Sequence, residues 1–359
     1  MNKNFQAKCQ ATLIGSLPLT DHTLALKLVL EHTPDIPVWV QLPVYKQEGM
    51  VSQFLPGLPA VVFNNDKVFV DTESNDFDDE ILAFYEDYFA VTDGNQPLSG
   101  TRFALTSETA GGFFALTNHL DSAAELPTAV KGQVTGPFTF CTSISDQNDQ
   151  AVFYNDQLKD IAIKLLAQKA RWQARQLLRY GRPVIIFFDE PALAGFGSSE
   201  FISVSRDEIK SCLEEVFDAV HSEGALAGIH ICANTDWSLV LESSADIVNF
   251  DAYAYFDRFF LYPQQIKYFI QSGRVLAWGI VPTLSEEYIN AETTETLLAA
   301  FRKYIKEIES LGIDRMQILR QSLITPSCGA GSLSIVLAGK VLQMTRDVSQ
   351  HLRRELAAD

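Results

Sequence analysis

The sequence predicts an α/β fold: a (β/α)8 barrel, eight parallel strands alternating with helices, with an insertion after the second strand. Three observations predict it. Short apolar runs alternate with longer amphipathic segments along the 359 residues. Eight of those runs are nearly continuous in apolar residues, as strands of a parallel sheet covered on both faces are. Polar residues able to do chemistry recur just after the runs, at the strand ends where barrels of this kind carry their sites.

The eight candidate strands are "ATLIGS" (11–16), "VWVQL" (38–42), "KGQVTG" (131–136), "VIIFFDE" (184–190), "LAGIHIC" (226–232), "DIVNFDA" (246–252), "RVLAWGIV" (274–281) and "MQILRQSLI" (316–324). Helical periodicity fills the gaps. Residues 21–32 carry apolar positions at helical spacing, and 155–181 form a long segment stopped at Gly181. Residues 205–224 open on a Ser cap with acids in the first turn and close at Gly224. Residues 294–312 close at Gly312. The stretch 43–130 is too long for one connection. It offers a hairpin over 60–71 with "NND" near its turn, then helices after 71–80 and over 106–120. It is expected to be an excursion that caps the barrel mouth, and 1–359 to be a single domain.

Composition bounds the function. Hydrophobic residues at 47% and charged residues at 20% describe a globular chain with ample core. No run approaches the ~18 apolar residues of a membrane span, and the first ten residues carry no signal-peptide pattern. Five scattered cysteines do not look like a disulfide framework, which favours a reducing cytoplasm. A net charge of −17 argues against nucleic acid as a partner, since phosphate binding needs clustered Lys and Arg.

The residues collected at strand ends are Ser16, then Gln41 with Lys46 and Glu48 in the following loop, then Thr135. They continue with the pair Asp189-Glu190, His230-x-Cys232 with Asn234, Asn249 and Asp251, Trp278, and Cys328 after the last strand. His230 and Cys232 share one side of their strand, because side chains two apart do. On their own they read sooner as a core histidine satisfied by a neighbour and a small buried thiol than as ligands. Cys328, in the matching place after the eighth strand, turns the reading toward a metal centre. Imidazole with thiolates favours Zn²⁺ over hard cations, and ligands drawn from separate strand ends, with no C-x-x-C knuckle, favour a catalytic rather than a structural site. An acid directly behind "VIIFF" is costly unless paired, so a substrate-binding role is expected at Asp189-Glu190, against the plainer reading of a loop or helix-capping pair. Cys9, Cys141 and Cys212 have no such placement.

These motifs, "ATLIGSLP", "VTGPFTF", "FFDEPAL", "HIC", "ADIVNFD" and "TPSCG", resemble in their order the catalytic barrel of cobalamin-independent methionine synthases. They also resemble the wider superfamily of uroporphyrinogen decarboxylase and corrinoid-dependent methyltransferases. The resemblance runs from about Ala11 to the C-terminus. It implies zinc held by His230, Cys232 and Cys328, with the fourth ligand, usually Glu in the synthases, falling on Asp251. It implies that Ser16 holds a substrate carboxylate and Asp189 its amino group, with Glu48 as a second acid on the amine; Glu190 and Asn234 complete the candidate set. The two-barrel synthases carry an N-terminal barrel that helps bind folate; this chain resembles the short, single-barrel branch. The expected activity is transfer of a methyl group to a small-molecule thiol, homocysteine first, from a methylated corrinoid protein or a methyl-folate. The alternatives are a metal-free lyase like uroporphyrinogen decarboxylase, for which Arg102 and Arg320 are the nearest strand-end arginines, and a non-catalytic accessory barrel for a corrinoid protein.

Overall fold

The structure is a computed structural model that describes residues 5–64 and 67–358. Its strands are β1 (Val61–Asn64), β2 (Lys67–Val70), β3 (Val130–Thr135), β4 (Ser145–Asp146), β5 (Val184–Asp189), β6 (Leu226–Ile231), β7 (Ile247–Phe250), β8 (Val275–Val281) and β9 (Ser322–Pro326). Six of them form one parallel sheet in the order β3-β5-β6-β7-β8-β9. Each neighbouring pair in that sheet is separated by at least one helix, the connection that parallel strands require.

The expected strands at 11–16 and 38–42 are extended segments that make isolated parallel bridges instead of continuous ladders. Ala11 pairs with Ile324 of β9, Ser16 with Gln41, and Val38 with Lys131 of β3. The physical reason is visible in the seams, where buried side chains take up backbone carbonyls. Thr12 Oγ1 donates to Ile36 O at 2.9 Å, Lys131 Nζ to Ile14 O at 2.7 Å and Gln133 Nε2 to Trp39 O at 2.9 Å. Groups bonded this way are not left unpaired, so no ladder is needed to satisfy them. A second difference lies at 316–324. A helix (Arg315–Arg320), capped by Asp314, occupies the first half, and β9 begins only at Ser322.

The helices follow their sequence signals. Asp21 caps His22–His32, and Asn155 caps Asp156–Leu178. Ser205 and Glu208 form a capping box on Arg206–Ser222, and Thr293 caps Thr294–Glu309. The hairpin is β1 with β2, antiparallel; of the expected "NND" near its turn, residues 65–66 lie outside the described residues. Helices Phe77–Thr92 and Gly111–Ser122 complete the 43–130 region.

Strand alternation sorts the core. One face of the sheet, with Ile186, Phe188, Ile229, Val248 and Trp278, packs into the large cluster shared with the helices. The other face builds a separate apolar floor from Ile185, Phe187, Leu226, Ile247, Val275, Ala277 and Leu323. Gly228 belongs to this inner face, and a Cβ there would overlap the Phe187 ring. The same inner face, followed two residues at a time toward the strand ends, reaches Asp189, His230, Asn249, Asp251 and Thr325.

Candidate metal centre

His230 is the last inward residue of β6, in register with Asp189 on β5 and Asn249 on β7. Cys232 lies one residue past the end of β6, and Cys328 two past the end of β9. One ligand atom from each of His230, Cys232 and Cys328 lies within 4.8 Å of the others. Residues nearly a hundred positions apart along the chain thus meet at one point. His230 is buried and the two cysteines are half-buried.

His230 Nδ1 hydrogen-bonds Asn249 Oδ1, whereas its Nε2 is buried with no hydrogen-bond partner among the described residues. A buried polar nitrogen without a partner is costly and calls for one. Burial works to lower the His230 pKa, but the Cys232 sulfur and the Asp189 carboxylate turn the net shift upward. The Cys232 thiol is pushed down to about 4, first by the Cys328 thiol beside it and then, against burial, by His230. Cys328 is pushed up by the same sulfur pair and by burial. The arrangement thus favours a thiolate at Cys232. One imidazole lone pair and two sulfurs form a soft donor set that fits Zn²⁺ and not Ca²⁺ or Mg²⁺.

Ser16, Glu48, Asp189, His230, Cys232 and Cys328 line one cavity of about 450 Å³, with Ile14, Pro43, Met50 and Pro191 as its apolar walls. Asp189 ends β5; its Oδ1 is buried and has no hydrogen-bond partner among the described residues, and burial raises its pKa despite His230 and Lys131. Ser16 Oγ accepts from Gly331 N at 3.2 Å. A Cβ at Gly329 would collide with that hydroxyl, which accounts for glycine after Cys328. Glu48 is 3% exposed and already bonded, to His22 Nε2 at 2.6 Å and to Leu42 N at 2.9 Å.

Three of the expected site residues are placed elsewhere. Glu190 is fully buried outside the cavity lining. It accepts from Phe138 N at 2.9 Å, from Thr139 N at 2.8 Å and from Thr139 Oγ1 at 2.6 Å, and so anchors the start of helix Pro137–Ser143. Burial pushes its pKa up to about 7, and those donors oppose the rise. Asn234 is exposed and outside the lining. Asp251 caps helix Ala252–Phe259 through Ala254 N at 2.9 Å and is not among the three groups that converge; burial raises it to about 6. Chain direction explains the split between neighbours: consecutive residues after a strand face opposite ways, so only one of Asp189 and Glu190 can point inward. Asn249, collected among the strand-end residues, was given no role there. Its signal was a polar side chain inside the apolar run "DIVNF", two positions before Asp251 and hence on the inner face.

A second cavity, of about 400 Å³, lies at the opposite ends of the strands, lined by Phe5, Lys8, Asp246 and Arg320 among others. It holds none of the converging donors. No described helix is long and apolar enough to cross a membrane.

No family model matches the chain, and no curated protein matches it in sequence. Solved structures do. A B12-independent methionine synthase from Shewanella sp. W3-18-1, in complex with selenomethionine, superposes with a TM-score of 0.54 at 17% identity, covering 98% of this chain and 99% of that one. A methyltransferase from Methanosarcina mazei superposes with a TM-score of 0.51 at 15% identity, covering 91% and 86%. At these identities the likeness is one of fold.

Proposed function

We propose that this chain is a zinc-dependent methyltransferase, a single domain built on an eight-stave barrel, that methylates a small thiol such as homocysteine. The observation that carries the reading is the meeting of His230, Cys232 and Cys328 beside an unpaired Asp189 oxygen in one cavity. The two neighbours in fold, a methionine synthase and a methyltransferase by their descriptions, support it.

His230, Cys232 and Cys328 would hold the ion. The chemistry it supplies when bound is to lower the pKa of a substrate thiol, with two cysteine sulfurs tempering its charge. Asp189 Oδ1 accepts from the substrate ammonium, and the Ser16 hydroxyl donates to its carboxylate. Glu48, fixed by His22 and Leu42, adds negative charge on the amine side. Ile14, Pro43, Met50 and Pro191 shut water from the thiol and leave an apolar approach for a methyl group. Holding thiol and methyl donor in line supplies the rest of the rate through orientation. The donor is a methylated corrinoid protein or a methyl-folate. All five cysteines are free, as in a reducing, cytoplasmic setting.

The lyase alternative needs cations to bind several carboxylates. The cavity lining contains no Arg or Lys among the described residues. Arg102 is paired with Asp87 at 2.6 Å, and Arg320 lines the cavity at the other end of the strands. The deciding experiment is metal analysis of the wild type and of Cys232→Ser and Cys328→Ser, followed by a thiol-acceptor screen with methylcobalamin and methyl-folate. Stoichiometric zinc in the wild type, lost in both variants, with methyl transfer to homocysteine, is the expected result. Full zinc occupancy in both variants refutes the ligand assignment. Zinc without transfer from any donor points to an accessory barrel.

A further inference from the structure

We infer that Asn249 is a positioning residue that fixes the tautomer and ring orientation of His230, so that Nε2 alone faces the cavity as a lone-pair donor. The inference rests on the metal-centre reading for its purpose, but its geometry stands independently.

Asn249 is fully buried on β7, between His230 on β6 and Ala277 on β8. Its Nδ2 donates to Ala277 O at 2.9 Å and to Thr325 Oγ1 at 2.8 Å. A backbone carbonyl can only accept, so the amide group facing Ala277 O has to be the NH₂. Flipping the amide would set two acceptors against each other inside a buried sheet. Both amide hydrogens are then committed, and the one group left for His230 is Oδ1, which can only accept. The Nδ1 of His230 bonds to it and therefore carries the proton. A neutral imidazole with its proton on Nδ1 presents a bare lone pair at Nε2, the buried atom without a protein partner.

The direction of the bonds is set by the sheet, not by the histidine. Ala277 O is fixed by β8, Thr325 by β9, and together they orient the amide before any ligand is present. A leucine at 249 would fill the volume but leave Nδ1 free to lose its proton to Nε2. Outer partners of this kind commonly change metal affinity 10- to 100-fold when removed.

The test uses the full chain. In metal-free protein labelled with ¹⁵N-histidine, long-range ¹⁵N–¹H correlation assigns the His230 tautomer, with His230→Gln identifying its signals. The expected result is the Nδ1–H form at neutral pH in the wild type and its loss or mixing in Asn249→Leu. Competition against a chromophoric chelator should show zinc bound about 10- to 100-fold more weakly by Asn249→Leu, with an altered Co²⁺ absorption spectrum. Asn249→Asp sets its second oxygen against Ala277 O but keeps an acceptor toward Nδ1, so it should retain the Nδ1–H form that Asn249→Leu loses. An Nε2–H tautomer in the wild type overturns the inference, as does wild-type zinc affinity with an unchanged cobalt spectrum in Asn249→Leu. If Asn249→Leu does not fold, the wild-type tautomer alone decides. A wild type that binds no metal yet shows the Nδ1–H form sinks the zinc reading and leaves the Asn249 inference standing.

Discussion

The two ends of the inner face obey opposite rules. At the floor, Ile185, Phe187, Leu226, Ile247, Val275, Ala277 and Leu323 pack as an apolar layer. A few residues along the same strands, Asp189, His230, Asn249, Asp251 and Thr325 replace them, all still buried. Polar groups buried at this depth are costly unless they are bonded. Most are bonded: Asn249 to three strands, Asp251 to a helix start. Among these five, the exceptions within the described residues are one atom each of His230 and Asp189, both of which line the same cavity; Gln133 Oε1, in register with Phe187 of the floor, is also unpaired. The floor is arranged for stability, whereas the mouth leaves chemistry unsatisfied at the points where a ligand would satisfy it.

Breaking the floor should have the largest effect on stability. Phe187→Ala removes a fully buried ring and is expected to cost about 3–5 kcal/mol in urea unfolding. A loss below about 1 kcal/mol would mean that the layer collapses freely and the contrast with the mouth is weaker than drawn. Glu190→Ala comes next, because it strips the partners from Phe138 N, Thr139 N and Thr139 Oγ1. A cost of about 1.5–3 kcal/mol is expected, and any remaining zinc binding should be unchanged, since Glu190 stands outside the cavity. A selective loss of metal would instead return Glu190 to the site.

Lys131 lies between the two ends, with Nζ on Ile14 O and 4.4 Å from the centre of the Phe187 ring. Burial lowers its pKa to about 8, although Asp189 opposes this. Because the folded value lies below that of the unfolded chain, near 10.5, the unfolded state holds the extra proton between those limits. This group's contribution to stability therefore rises with pH from about 8 toward 10.5 and is flat below. Lys131→Met should remove that rise when unfolding is compared at pH 7.5 and 9.5, and identical slopes in the two proteins would contradict it. The smallest change is expected for Asp189→Asn. With one oxygen unpaired, its charge contributes little to the fold, so melting should shift by under about 1 kcal/mol equivalent, upward if at all. Calorimetric affinity for homocysteine should nevertheless fall. A strongly destabilised Asp189→Asn would make this acid structural, like its neighbour.

Much of this was legible in the chain. Apolar runs bounded by caps and glycines gave five of the six ladder strands and the main helices in place, with β9 read as starting too early, because local signals govern both. The i, i+2 rule put His230 and Cys232 on one side, and barrel order put Cys328 opposite them. Ser16 and Asp189, collected at strand ends, and Glu48, from the loop after one, all line the same cavity. The three that the cavity lining leaves out share a cause. Glu190, Asn234 and Asp251 follow strand ends within two residues of Asp189, Cys232 and Asn249, and position after a strand does not say which way a loop or helix start will turn a side chain.

Residue type and spacing by themselves determined the repeated strand–helix units, the reach of the inner face and the soft donor set, since each depends on neighbours within a few residues. The tertiary structure alone decided that two extended segments link β9 to β3 through isolated backbone bridges, that Glu190 holds a helix while Asp189 Oδ1 stays unpaired, and that Asn249 meets His230. Those outcomes depend on contacts between residues far apart in sequence, and on which backbone carbonyl each buried donor reaches first.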